Sequence, residues 1–142
     1  MSMYQSTAGP ASAPEPVRSP YQIIGGTETV RRVVERIYSW ISLDDKLWQP
    51  YFAEVNAAGQ MPNLKAHMTE QLCQILGGPK TYSLRDLAAV HQPLGITPEA
   101  YQRVGNYVLA ALLPEHPPWE IVLAVRDVLI QSAPVIVKQP GT

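Results

Sequence analysis

The chain has 142 residues, 46% of them hydrophobic and 16% charged, with a formal net charge of −1. That is the composition of one globular domain around one core, and it excludes a disordered chain. No basic excess is present to neutralise phosphates, which argues against a nucleic-acid binder.

The single cysteine, Cys73, excludes an internal disulfide and a CxxC metal pair. Inside a helical pattern it reads as a small buried apolar residue. No apolar run approaches the ~18 residues of a membrane span, so none is expected. Residues 1–19, MSMYQSTAGPASAPEPVRS, are rich in Pro, Ser and Ala and lack the apolar core of a secretory signal. They read as a flexible arm, and the cytoplasm is the expected compartment. A single domain is expected over 20–138, with 139–142 as a C-terminal tail.

In chain order, Gly25-Gly26 ends an opening turn, and Thr27-Glu28-Thr29 starts a helix with a carboxylate in its first turn, where the macrodipole favours it. Val30, Val33, Val34, Ile37 and Ile41 recur at three- and four-residue spacing as one core stripe, with Tyr38 at its edge. Arg31, Arg32 and Glu35 face away. Asp44-Asp45 opens a short turn through Leu47 and Trp48, which Pro50 interrupts before Tyr51-Phe52. Residues 53–60, AEVNAAGQ, read as loop.

The next helix starts near Met61, with Pro62 tolerated in its first turn. Met61, Leu64, Met68, Leu72 and Ile75 fall within roughly 80° of arc, and His67 sits on the flank, about 60° from Leu64. Gly77-Gly78 and Pro79 stop this helix. Residues 83–91, SLRDLAAVH, form a shorter one with Leu84, Leu87 and either Val90 or His91 inward, and Pro93 places His91 in the last turn. An imidazole on a short, stopped helix opposite a long apolar one is how a chain presents an axial ligand to a flat iron cofactor. The negative end of the helix dipole there favours electron donation to a metal.

Thr97-Pro98-Glu99 caps a long helix, with Tyr101, Val104, Val108, Leu109 and Leu112 inward, running to about Leu113. After the break from Pro114 to Pro118, Trp119, Val122, Val125, Leu129 and Ile130 line a last helix that stops before Pro134. His116 reads as a solvated loop residue, and Trp40, Trp48 and Trp119 as packing or partly exposed amphipathic residues and not a cofactor box. With no strand alternation, internal repeat or Gly-rich phosphate loop, the class is all-α.

These residues together resemble the truncated haemoglobins, group I. The segments that carry the resemblance are YQIIGG from Tyr21, IYSWISLDDKL around Tyr38, Phe52, MPNLKAHMTEQL, the GGP break with Tyr82, AVHQPLGIT and AYQRVGNYVLAAL, in an order that covers roughly Tyr21 to Val137. The resemblance implies a two-over-two helical sandwich around haem b. It implies His91 as the proximal iron ligand, Phe52 as an aromatic wedge on the haem face, and Tyr38 as the distal hydrogen-bond donor to bound dioxygen. Leu64, His67 and Met68 match the distal-helix positions, and Leu87, Tyr101, Val104 and Val125 match haem-packing positions. Lys65 and Leu72 complete the expected cofactor-binding residues. The chain departs from many members in carrying Leu64 and Met68 where glutamine is frequent, and Gln71 where an aromatic residue is frequent. Tyr38 is then the strong distal donor.

Three functions are expected on this basis. The first is a haem protein binding dioxygen, carbon monoxide or nitric oxide, with nitric oxide dioxygenation supported by a separate reductase, since the chain has no nucleotide fingerprint. The second is a bis-histidine redox or electron-transfer protein, because some group I members carry a histidine at the position of His67 that binds iron as a sixth ligand. The third is a helical interaction module without cofactor.

Overall fold

The computed structural model describes residues 17–78 and 84–138, with the side chains of 84–86 set aside. Most of the expected arm, the expected tail, Pro79 and Tyr82 lie outside the described residues.

Helix α1, Pro20–Ile24, begins on a capping box in which Gln22 N donates to Ser19 Oγ and Ser19 N donates to Gln22 Oε1. Gly25, at φ 108°, ends it. An added Cβ there would lie 2.5 Å from Thr29 Oγ1, so the turn into α2, Gly26–Ile41, requires glycine. The predicted stripe on α2 is the centre of the core, with Val30, Val33 and Val34 each 1% exposed and Ile37 and Ile41 at 0%. Each such side chain contributes about 1.5–3 kcal/mol by leaving water.

A single turn, α3, spans Asp45–Leu47 and is capped by the Asp44 carboxylate on Lys46 N. The chain continues as a π turn, Trp48–Phe52, and then as α4, Ala53–Ala57. Two expectations are corrected here. Pro50 does not interrupt the helical path; the ladder widens around it, which tolerates a residue without an N–H. The first half of AEVNAAGQ is helical, because alanine-rich sequence favours helix without needing the apolar periodicity that would have revealed it.

Helix α5, Met61–Ile75, carries Pro62 in its first turn, and Gly77 succeeds it at φ 89°, as expected. Helix α6, Leu84–His91, leads into a 3₁₀ turn, Gln92–Leu94. Helix α7, Pro98–Leu112, is capped by Thr97 Oγ1, which accepts from Ala100 N at 3.1 Å. A second 3₁₀ turn, Leu113–Glu115, ends at His116, exposed and in the left-handed region at φ 53°.

The last helix, α8, spans Trp119–Ile136 and runs through Pro134 instead of stopping before it. A proline so close to a helix end removes only one late hydrogen bond. Trp119 and Ile130, expected to face inward, are 67% and 61% exposed, and the buried face is built on Ile121 and Val125. Ile121 lies two residues beyond Trp119, so the true face is rotated by about 160° from that tryptophan.

The described residues contain no strand. Helix α2 packs against both α5 and α7, α7 packs on α8, and α6 packs on α8. This is an all-α sandwich of two helical pairs, α2 with α5 and α7 with α8. No helix among the described residues is long and apolar enough to cross a membrane.

Candidate functional site

His91 ends α6, and its Nδ1 lies 2.8 Å from the carbonyl oxygen of Leu87, one turn back. A carbonyl can only accept, so Nδ1 is the donor in this contact, and of the two ring nitrogens it is Nε2 that is left to bind another group. Metal-ligating histidines are commonly oriented by a partner of this kind on the other ring nitrogen. The sequence left Val90 and His91 as alternatives for the inward position. Val90 is 58% exposed and His91 is half-buried, which selects His91.

Tyr38 comes from the rim of the α2 stripe and is 4% exposed. Its ring meets Phe52 edge-on, with centroids 5.8 Å apart and planes at 79°. Phe52 is also flanked by Trp48 at 6.3 Å and Tyr51 at 6.5 Å. The π turn supplies all three of these aromatics, and its extra residue rotates the succeeding segment by about 100° relative to a plain α-helix. The Tyr38 hydroxyl has no hydrogen-bond partner among the described residues. Burial pushes its pKa upward, so it is a neutral O–H donor at physiological pH. A buried hydroxyl without a partner costs about 1–3 kcal/mol, which marks it as a group held for something other than folding.

The remaining expected residues divide clearly. Leu72 and Val125 belong to the buried core with Tyr38, and Phe52, Leu64, Met68 and Val104 pack against it half-buried. Leu87 is half-buried on α6 and supplies the carbonyl that holds His91. Tyr101 reaches α8, where its hydroxyl donates to Leu129 O at 2.6 Å, and burial pushes its pKa up to about 12. His67 is exposed on the flank of α5, as its angle predicts. Lys65 is drawn to α2, where its Nζ lies 2.9 Å from Glu35 Oε1 in a charged surface groove that also includes Glu28, Arg31 and Arg36. Gln71 is half-buried.

One cluster that supports this site was not foreseen. Asp44, 9% exposed, receives Arg103 Nε at 2.7 Å and the Tyr107 hydroxyl at 2.8 Å. The Arg103 hydrogen bond, then the Tyr107 one, hold its carboxyl below the ordinary range. Asp44 thereby fastens the turn that leads to Phe52 onto α7. The four-residue spacing of Arg103 and Tyr107 was the available signal, since it puts a cation and a phenol on one face of a helix.

The chemistry of these residues suits a porphyrin: His91 Nε2 would hold the iron, Phe52, Leu64, Met68 and Val104 would give an apolar wall, and Tyr38 would be a buried donor.

Comparison with known proteins agrees with the geometry. Residues 19–118 match the Bacterial-like globin family. The Group 1 truncated hemoglobin GlbN of Mycolicibacterium paratuberculosis is 32% identical over 116 residues, covering 82% of each chain. The hemoglobin structure from Chloroflexus aurantiacus superposes with a TM-score of 0.68 at 29% identity, over 88% of this chain and 100% of that one. The truncated hemoglobin of Tetrahymena pyriformis gives a TM-score of 0.71 at 15% identity, covering 86% and 100% of the two chains, and so supports the fold. With the helical sandwich, the oriented His91 and these relatives in agreement, the chain belongs to the bacterial-like globin family as a haem-binding truncated globin of group I.

Proposed function

We propose that this globin binds haem b through His91 Nε2 and takes up dioxygen or another diatomic gas on the Tyr38 side. The observation that carries the reading is the pairing of a His91 ring whose Nδ1 is already committed to Leu87 O with a buried Tyr38 hydroxyl that has no partner among the described residues.

When bound, haem would supply a ferrous iron able to take a diatomic gas. The chain's own groups do the rest. His91, its ring oriented by Leu87 O, would hold the iron through Nε2. Leu64, Met68 and Phe52 present apolar surface that keeps water and protons away from the gas side. Tyr38, buried and protonated, would donate its O–H to dioxygen held there, a charge-assisted bond of about 1.5–3 kcal/mol.

The turnover we assign is nitric oxide dioxygenation. Nitric oxide and dioxygen combine to nitrate, and one electron per cycle comes from a separate reductase. The exposure of His67 favours an open gas side over a permanently closed bis-histidine state. The cofactor-free interaction module is set aside, because family membership carries haem binding with it.

The test is the visible spectrum of the protein expressed with ample haem, and then the nitrate yield after mixing the oxygenated form with nitric oxide. A Soret band lost in His91→Ala and stoichiometric nitrate are expected. A haem complex unaffected by His91→Ala overturns the ligand assignment, and oxygenated protein that leaves nitric oxide unconsumed overturns the dioxygenation.

A further inference from the structure

The residue after His91 has its side chain committed to a distant element. Gln92 Nε2 donates to Val135 O at 2.6 Å and to Val137 O at 2.9 Å, using the two hydrogens of one amide nitrogen. Four residues on, Ile96 O accepts from Lys138 N at 2.8 Å. The loop that begins at Gln92 is therefore pinned at both ends to the final turn of α8.

Those two carbonyls belong to the end of α8, where a helix leaves its last C=O groups without partners of its own. Ala133 O is satisfied locally by Val137 N at 2.8 Å. Val135 and Val137 are served from outside the helix by Gln92. Both carbonyls lie beyond the reach of any later N–H of the helix, so the external amide of Gln92 serves groups that the helix itself cannot.

The consequence falls on His91. Its ring is fixed from the N-terminal side through Nδ1 and Leu87 O, within α6. Its backbone is fixed from the C-terminal side by Gln92, the adjacent residue, gripping α8. Two anchors on opposite sides of one residue hold both the rotation of the imidazole and the position of the Cα that carries it.

We infer that Gln92 is a positioning residue for the proximal ligand: by capping the end of α8 it sets the placement of His91 toward haem iron, so that the C-terminal turn of the chain tunes the iron–histidine bond. This rests on the reading of His91 as the iron ligand. Gln92 touches neither haem nor gas in this role, and it acts through His91 alone.

The experiment uses the deoxygenated ferrous holoprotein and reads the iron–histidine stretching band by resonance Raman. Gln92→Met keeps the length and removes both donors, and it is expected to broaden the band and shift it to lower frequency. Gln92→Lys, which keeps a donor with comparable reach, is expected to hold the wild-type band. A chain ending at Ile136 removes the Val137 acceptor and the Lys138 donor while leaving Gln92 in place, and it is expected to shift the band in the same direction as Gln92→Met. This second route tests the coupling even if Gln92→Met does not fold. An unchanged band in both altered proteins, with only a lower thermal midpoint, makes Gln92 a structural cap and overturns the inference. Failure of the underlying reading looks different: the wild-type band then survives in His91→Gly.

Discussion

Tyr38 and Phe52 meet edge to face, 5.8 Å between centroids and 79° between planes, across the junction of the core helix α2 and the π turn. Aromatic pairs in this geometry contribute about 0.5–1.5 kcal/mol beyond the area they bury. The contact fixes the phenol ring while leaving its hydroxyl without a partner among the described residues. Packing thus holds a polar atom in a position that folding alone does not reward, as expected where local rules give way to function.

Tyr38→Phe should therefore have opposite effects on stability and on gas retention. Removing the unpartnered hydroxyl is expected to stabilise the haem-free protein by up to about 1–3 kcal/mol, read from urea unfolding. In the haem-loaded protein the same change removes a charge-assisted hydrogen bond. Dioxygen dissociation should then accelerate roughly ten- to a hundredfold in stopped flow, the range equivalent to about 1.5–3 kcal/mol. Equal dissociation rates in the two proteins would show that Tyr38 does not contact the gas.

Phe52→Leu tests the wedge. Phe52 is half-buried among Tyr38, Trp48 and Tyr51, so the loss should be about 1 kcal/mol or more, below the cost of emptying a fully buried phenylalanine site. Releasing the Tyr38 ring should also broaden the dioxygen dissociation kinetics. A variant with wild-type stability and a single wild-type rate would remove Phe52 from the support of Tyr38.

The core stripe of α2 was readable because Val30, Val33, Val34, Ile37 and Ile41 repeat at helical spacing with charges between them, and all five are buried. The place of His91 in the last turn of α6 was readable because Pro93 and the short helix confine it. What escaped depended on contacts between residues far apart in the chain. Asp44 meets Arg103 and Tyr107 from 59 and 63 positions away, and Gln92 meets Val135 and Val137 from 43 and 45. Lys65 was assigned by position in a resemblance, and its ion pair with Glu35 on the neighbouring helix was not foreseen. Trp119 was misplaced because a large apolar residue at a helix start looks inward by type alone, while its first turn faces solvent.

The spin state of the ferric protein tests the proposed open gas side against closure by His67. Its side chain is exposed on α5, so the ferric protein at neutral pH is expected to show a predominantly high-spin spectrum that His67→Leu leaves nearly unchanged. A low-spin spectrum that turns high-spin in His67→Leu would mean that the imidazole swings inward and closes the gas side. The electron-transfer reading would then replace the one proposed.

Stability in acid should report on Asp44. Its folded-state pKa is lowered, first by the Arg103 hydrogen bond and then by the Tyr107 hydroxyl, so the unfolded chain binds the proton more readily than the native one. The stabilisation is fully present above the ordinary aspartate value of about 3.9 and is lost as pH falls through the lower folded value. Glu115 is held below its ordinary range in the same sense, first by its Arg32 hydrogen bond, and adds to the acid sensitivity. Asp44→Asn should unfold at lower urea than wild type at pH 7, with the gap closing as pH drops below about 4. Arg103→Met should behave alike, because it removes the same ion pair from the other side. A gap between wild type and Asp44→Asn that stays constant from pH 7 into the acid range would mean that Asp44 acts only as a neutral cap on Lys46 N and that its link to α7 does not stabilise the turn carrying Phe52.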